Sequence, residues 1–196
     1  LQRSELSKYA DYNETEKDEI GLDISCNLAS GHMGNMIENN TIKETVESAM
    51  AVMNSVSLKT DIKHVPGVRK ANELLRSVGF GMMGHHGFIA KNMIPFGSEQ
   101  DIDLLDVFFN AVNYHSLKYS MELAKETGSK FYEFEDSHYA DGSYFDTRGE
   151  IKPKTDLVKE ILKDVELPTE EEWLQLKEDV MEYGLYNAYR LAVAPK

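Results

Sequence analysis

Trp173-Leu174-Gln175-Leu176-Lys177-Glu178-Asp179-Val180-Met181-Glu182-Tyr183-Gly184-Leu185-Tyr186-Asn187-Ala188-Tyr189-Arg190-Leu191-Ala192-Val193-Ala194-Pro195 passes from one periodicity to another. Trp173, Leu176, Val180 and Tyr183 recur at helical spacing and predict one apolar helix face. Pro168 and Thr169-Glu170-Glu171-Glu172 predict its start, a capping box with acids at the positive helix end. Gly184 predicts its end. Leu191-Ala192-Val193-Ala194 then predicts a short buried strand, stopped by Pro195. A helix that feeds a short buried strand is the ordering of α/β folds.

Upstream, the same alternation of helix and strand signals recurs. The longest helix is predicted after Pro95, with Ser98 capping toward Asp101, an apolar face at Leu105, Phe109, Val112 and Tyr119, and Gly128 as the stop. Between it and the last helix, the stretch Phe131-Tyr132-Glu133-Phe134-Glu135 through Phe145 carries aromatics and acids, with Asp141-Gly142 as a turn. Its negative charge argues for packing rather than base stacking. Arg76-Ser77-Val78-Gly79-Phe80-Gly81-Met82-Met83-Gly84-His85-His86-Gly87 has two readings. Gly79, Gly81 and Gly84 satisfy the G-x-G-x-x-G spacing of a dinucleotide loop, with Glu99 as the distant acid. Val78, Phe80 and Met82 instead alternate with small residues, as in a crowded strand approached by another backbone or a ligand.

Toward the N-terminus, Thr41-Ile42-Lys43-Glu44 has the capping-box form. Ile42, Val46, Ala49, Met50 and Met53 follow it as a helical face, in which the methionines read as core filler. Pro66-Gly67 predicts a break, with a shorter helix over 68–77. Residues 20–28 alternate well enough for a half-buried strand carrying Ile20, Leu22, Ile24 and Cys26 on one side, so that Cys26 points inward at its end. The polar residues up to Asp18 read as a surface lead-in.

Composition narrows the function classes. With 21 Lys and Arg against 34 Asp and Glu, the formal net charge of −13 repels nucleic-acid backbones and anionic membranes unless basic residues cluster, and no cluster is evident. No apolar run approaches the length of a membrane span, and the first residues lack the order of a signal peptide, so a cytoplasmic protein is expected. Cys26 is the only cysteine. It cannot close a disulfide within the chain, which agrees with a reducing compartment but leaves a bond to a cysteine elsewhere open. A lone cysteine is compatible with a small buried hydrophobe as well as with chemistry. His85 and His86 are adjacent and cannot face one ion, and with His32, His64, His115 and His138 scattered, no metal site is expected. Without repeats or Pro/Gly/Ser linkers, residues 1–196 read as one unit.

Three stretches together resemble the large catalytic subunit of class I ribonucleotide reductase, its class Ib branch most closely. Trp173-x-x-Leu176, seven residues, Gly184-Leu185-Tyr186-Asn187, three residues, then Leu191-Ala192-x-x-Pro195 is similar to the large-subunit signature. Arg76-Ser77-Val78-Gly79-Phe80-Gly81 and Met83-Gly84-His85-His86-Gly87 are similar to the R-x-I-G-L-G strand and the helix start after it. Asp23-Ile24-Ser25-Cys26-Asn27-Leu28 resembles the segment carrying one of two redox-active barrel cysteines.

The resemblance implies a helix-rich α/β fold, roughly the second half of a ten-stranded α/β barrel. In that family a finger-loop cysteine forms a thiyl radical that abstracts the ribose 3′ hydrogen. Two further cysteines supply electrons and end as a disulfide. Cys26 matches one of those two, so its partner lies outside this sequence. Pro195 matches the start of the P-T-G-S loop that holds substrate phosphates through backbone N–H groups, with Lys196 in place of Thr. The implied partners are the remaining parts of the α subunit, a small radical-generating β subunit, a thioredoxin- or glutaredoxin-like reductant and the nucleotide substrate. The metal-radical cofactor is expected on the small subunit, with none bound directly here.

The sequence contains no N-x-C-x-E finger loop and no C-x-x-C tail. Its ends fall beside active-site loops, Leu1 standing where Met would begin a chain. A piece of a split or truncated subunit, inactive alone, is expected, and a half barrel with open strand edges should self-associate or need companion segments. The competing readings are a structural or interaction module that keeps the packing motifs without the chemistry, and a dinucleotide-binding domain at Gly79 to Gly84.

Overall fold

The computed structural model describes residues 6–11 and 13–193. Its organising unit is a pair of parallel strands, β1 (Asn27–His32) and β2 (Val78–Met83), aligned without slip from Asn27 opposite Val78 to His32 opposite Met83. Parallel strands need a long crossover, and three helices supply it. They are α1 (Met33–Glu38), α2 (Ile42–Lys59) and α3 (Pro66–Leu75). After β2 come α4 (His85–Lys91), the long α5 (Glu99–Thr127), α6 (Asp156–Ile161) and α7 (Glu170–Tyr183). Two short 3-10 turns, Phe134–Asp136 and Ser143–Thr147, lie between α5 and α6.

The helices cover one face of the strand pair. Val78 and Phe80 are buried beneath them in a cluster with Met33, Ile42, Val46, Met50, Leu104 and Phe108. A second cluster gathers Tyr114, Leu117, Phe131, Phe134, Phe145, Trp173, Leu176 and Val180 between α5 and α7. The expected packing roles of Met50, Met53 and the aromatic stretch are met.

The cap predictions divide. Ser98 accepts from Asp101 N at the head of α5, and Gly128, in the left-handed conformation, ends it after 29 residues, about 43 Å at 1.5 Å per residue. Thr169 and Glu172 form the reciprocal capping box of α7. Thr41 makes no side-chain cap. Its backbone N–H already donates to Met36 O (2.9 Å) across a turn in which Asn40 has φ +50°, so Glu44 has no free donor to accept from.

Other expectations are corrected. Pro66-Gly67 opens α3 rather than breaking a segment, with Pro66 in the first turn, where its missing N–H costs nothing. The apolar face expected on α5 is met at Val112, which is buried, and at Leu105 and Tyr119, which pack against the core, but not at Phe109, and the buried face is wider than expected. Leu104, Val107, Phe108 and Ala111 are buried, whereas Phe109 is 41% exposed. So much of this helix's circumference is enclosed that its periodicity has more than one solution. The strand expected over residues 20–28 begins only at Asn27. The preceding segment is held otherwise: Asp23 N donates to Gly67 O, and the Asp23 carboxylate accepts from Ser7 N (2.9 Å) and Tyr9 Oη (2.7 Å). Leu22 packs on Ala71 and Leu75, while Ile24 and Cys26 are exposed. Cys26 therefore does not point inward into a core.

The expected last strand is present as a single parallel bridge of Leu191 to Phe80, closed by Phe80 N to Arg190 O (2.8 Å) and Ala192 N to Phe80 O (3.0 Å). Ala194 and Pro195 lie outside the described residues.

Candidate functional site

The face of the strand pair away from the helices is open, and it is the candidate site. Side chains alternate along a strand, and the register places Leu28, Ser30 and His32 beside Gly79, Gly81 and Met83 on that face. Leu28 is 57% exposed and Met83 is also exposed. Gly79 is tightly enclosed. A Cβ there would stand 2.6 Å from Leu28 Cδ2 and 2.8 Å from the Ala192 Cβ. Three chain segments therefore meet on a floor made of small residues.

Cys26 directly precedes β1 and is exposed. Enough protein surrounds the thiol for burial to push its pKa above the ordinary value, so it is held as a thiol rather than a thiolate. The next residue is clamped. Asn27 Nδ2 donates to Ser57 Oγ (2.9 Å), Ser57 Oγ donates to Asn72 Oδ1 (2.9 Å), and Asn72 Nδ2 donates to Ser57 O (3.0 Å). The starting edge of β1 is thus tied to the last turns of α2 and α3.

A second polar cluster stands behind β2. Arg76, at φ +50°, caps α3 and turns the chain into the strand. Its guanidinium donates to Ser129 Oγ (2.7 Å), Lys130 O (3.2 Å) and Tyr186 O (3.4 Å), and lies 4.2 Å from the Tyr186 ring centroid. Burial pushes its pKa down. Asn187, fully buried, donates from Nδ2 to Asn54 Oδ1 (2.7 Å) and Arg76 O (2.6 Å), while its backbone N–H donates to Ser120 Oγ. Arg76 and the Gly184-Leu185-Tyr186-Asn187 motif therefore join α2, α3, α5 and the chain after α7. These are fold-bearing groups facing away from the open side. In the sequence Asn187 stands out only as part of a pattern. A lone amide among Leu185, Tyr186 and Ala188 was the available signal for a buried polar node.

The glycines do not form a nucleotide loop. Gly79 and Gly81 lie inside β2, and only Gly84, with φ +79°, stands at the strand-to-helix turn. A Cβ on Gly84 would fall on the His32 imidazole. His32 itself caps α1 by accepting from Asn35 N (3.3 Å). His85 Nε2 lies 2.6 Å from Asp101 Oδ1, a buried carboxylate that also accepts from Gly97 N (2.8 Å), so His85 packs and bonds as expected. Among the described residues no three His, Cys, Asp or Glu side chains are grouped to hold a metal ion. Nor, among them, is any helix long and apolar enough to cross a membrane.

A family model described as "Ribonucleotide reductase, barrel domain" matches residues 5–196. The chain belongs to this family. The ribonucleoside-diphosphate reductase NrdEB subunit alpha of Bacillus subtilis is 45% identical over 197 residues, covering 100% of this chain and 18% of that protein. A further alpha subunit of the same organism is 43% identical, covering 100% of this chain and 28% of that protein. The alpha subunit of Mycoplasma pneumoniae is 39% identical over 90% of this chain and 25% of its own length. The chain thus spans between 18% and 28% of the length of these relatives. Within the ribonucleotide reductase barrel family, the parallel strands with helices on one side are part of an α/β barrel, and the open face is the side turned away from the barrel's helical layer.

Proposed function

We propose that this chain forms part of the large subunit of a class Ib ribonucleoside-diphosphate reductase and contributes Cys26 as one of its two reducing thiols. The exposed Cys26 directly before β1, next to the pairing of Asn27 with Val78, carries this reading. Reducing a ribonucleotide replaces a ribose C–OH by C–H. Two thiols supply the two electrons and two protons, the hydroxyl leaves as water, and a sulfur–sulfur bond forms. The bond requires the two Cα atoms to lie roughly 4.4–6.8 Å apart. With one cysteine in 196 residues, the second sulfur has to come from outside this sequence. A thioredoxin- or glutaredoxin-like dithiol then reopens the disulfide by exchange.

The radical that starts the reaction belongs to a further cysteine outside these residues, generated by a metal-radical cofactor on a small β subunit. Pro195 begins the loop whose backbone N–H groups hold the substrate phosphates. The setting is cytoplasmic, where such thiols are kept reduced. By itself the chain turns over no substrate.

The test is Cys26→Ser in the complete α subunit, assayed with the β subunit and a dithiol reductant. Deoxynucleotide formation over many turnovers should be lost while nucleotide binding persists. Wild-type turnover by the variant would overturn the assignment and favour a module that carries only packing.

A further inference from the structure

We infer that Ser57 and Asn72 are positioning residues for Cys26, acting through Asn27. The inference rests on the redox reading of Cys26 given above and extends it to side chains that touch neither substrate nor sulfur. Cys26 lies at the free starting edge of β1, with no strand pairing of its own, because the ladder between β1 and β2 begins at Asn27 and Val78. Cys26 is placed from upstream by Asp23 N, which donates to Gly67 O, and from downstream by what holds Asn27. On the backbone side that is the pairing with β2; on the side-chain side it is Ser57.

The hydroxyl of Ser57 is used in both directions, accepting from Asn27 Nδ2 and donating to Asn72 Oδ1, each at 2.9 Å. Asn72 closes the ring by donating to Ser57 O at 3.0 Å. Ser57 is 5% exposed, so a lost partner there is not replaced freely by solvent. Asn72 O also accepts from Arg76 N at 3.2 Å, and Arg76 is the residue that turns the chain toward Val78. The Ser57 and Asn72 pair, with Asn27 hung on its hydroxyl, therefore ties the start of β1 to the helix end from which the chain turns into β2. Disulfide formation tolerates little error in the placement of its two α-carbons. A shift of about 1 Å away from a reacting centre can cost up to about 100-fold in rate.

The experiment compares Ser57→Ala, Asn27→Ala and Ser57→Thr in the complete α subunit assembled with its β subunit. Ser55→Ala, on the exposed side of the same helix, is the control. Two quantities are read: the rate at which iodoacetamide labels Cys26 in the reduced subunit, and kcat and KM for nucleotide reduction. Ser57→Ala and Asn27→Ala should each change the labelling rate of Cys26. Each should also lower kcat by about 10- to 100-fold with KM unchanged. Ser57→Thr, which keeps the hydroxyl, should restore both. Asn27→Ala breaks the same bond from a partly exposed position, so it serves if Ser57→Ala does not fold.

The inference is overturned if labelling and kcat stay at wild-type values in the variants, or if kcat falls only in step with melting temperature and Ser57→Thr does not rescue it. The underlying redox reading fails by a different result, namely no disulfide at Cys26 by mass spectrometry after a single turnover of the wild-type enzyme. The labelling rates still decide whether the ring places Cys26 in that case.

Discussion

At the scale of single residues, the acidic groups and the one deeply buried histidine set how the protein responds to pH. His115 lies on α5 with Nδ1 unpartnered, its ring 5.1 Å from that of Tyr114. Burial pushes its pKa down from 6.5 to about 4, helped by Lys118 on its own helix and Lys43 on α2, and opposed by Glu172 on α7 and Glu44 on α2. A depressed pKa means the fold favours the neutral ring, so this contribution is complete above pH 6.5 and is lost as pH falls toward 4. It amounts to at most about 3 kcal/mol. Urea unfolding followed at about pH 7 and about pH 4.5 should show that loss, and His115→Gln should flatten it. Asp103 acts in a lower window. Burial raises its pKa, but donors from Thr155 N, Lys154 N and Thr155 Oγ outweigh that, and the net pKa is lowered from 3.8. Its stabilisation is lost as pH falls below the ordinary carboxylate range. Asp103→Ala removes the anchor of the α6 start from α5 and should cost about 2–3 kcal/mol in the same unfolding assay.

At the scale of elements, two capping boxes of the same sequence form behave differently, and substitution should tell them apart. Thr169→Ala should cost about 1 kcal/mol, because both reciprocal bonds of α7 are made. Thr41→Ala should stay within about 0.5 kcal/mol, because Thr41 makes no cap bond. Comparing the two by urea midpoint at constant slope checks this. The pair also shows what was legible in the sequence. Where a cap is preceded by a Pro, as at Pro168, local residues settle the geometry. Where it is preceded by a tight turn between helices, as at Asn39 and Asn40, the turn consumes the donor, and no motif of four residues reports that. The strand at Val78 was readable because large and small residues alternate along it. The start of β1 was not, because Leu22 and Ile24 keep the alternation of a strand while the backbone of Asp23 bonds to Gly67 of α3. Gly79 supplies a further test. Gly79→Val would drive side-chain atoms into Leu28 and Ala192, so a loss of about 1–3 kcal/mol is expected.

At the scale of the whole molecule, the open face governs behaviour in solution. Leu28, Ile24 and Met83 are exposed, Val193 is 97% exposed, and Leu191 bonds to β2 through a single bridge. Apolar groups beside an unpaired strand edge favour association. Sedimentation of the isolated chain should show concentration-dependent oligomers that Leu28→Lys reduces, and a monodisperse monomer at all concentrations would contradict this account. The signature from Trp173 to Pro195 made the family readable, whereas the candidate site was only half readable. Cys26 is proposed from its sequence context, but the Ser57 and Asn72 ring depends on α2 and α3 folding back beneath β1, a juxtaposition across 30 and 15 residues that no local pattern encodes.

One packing detail offers a spectroscopic handle. Trp173 is the sole tryptophan, buried in the cluster between α5 and α7 at 5.2 Å from the Tyr114 ring and 6.3 Å from Phe145. The cluster that contains Val78 and Phe80 holds no indole. Selectively excited emission therefore reports on α7 and its neighbours alone, while far-ultraviolet dichroism averages over all helices. If the two cores melt together, the two signals superimpose; if α7 releases first, the fluorescence red-shifts ahead of the loss of ellipticity.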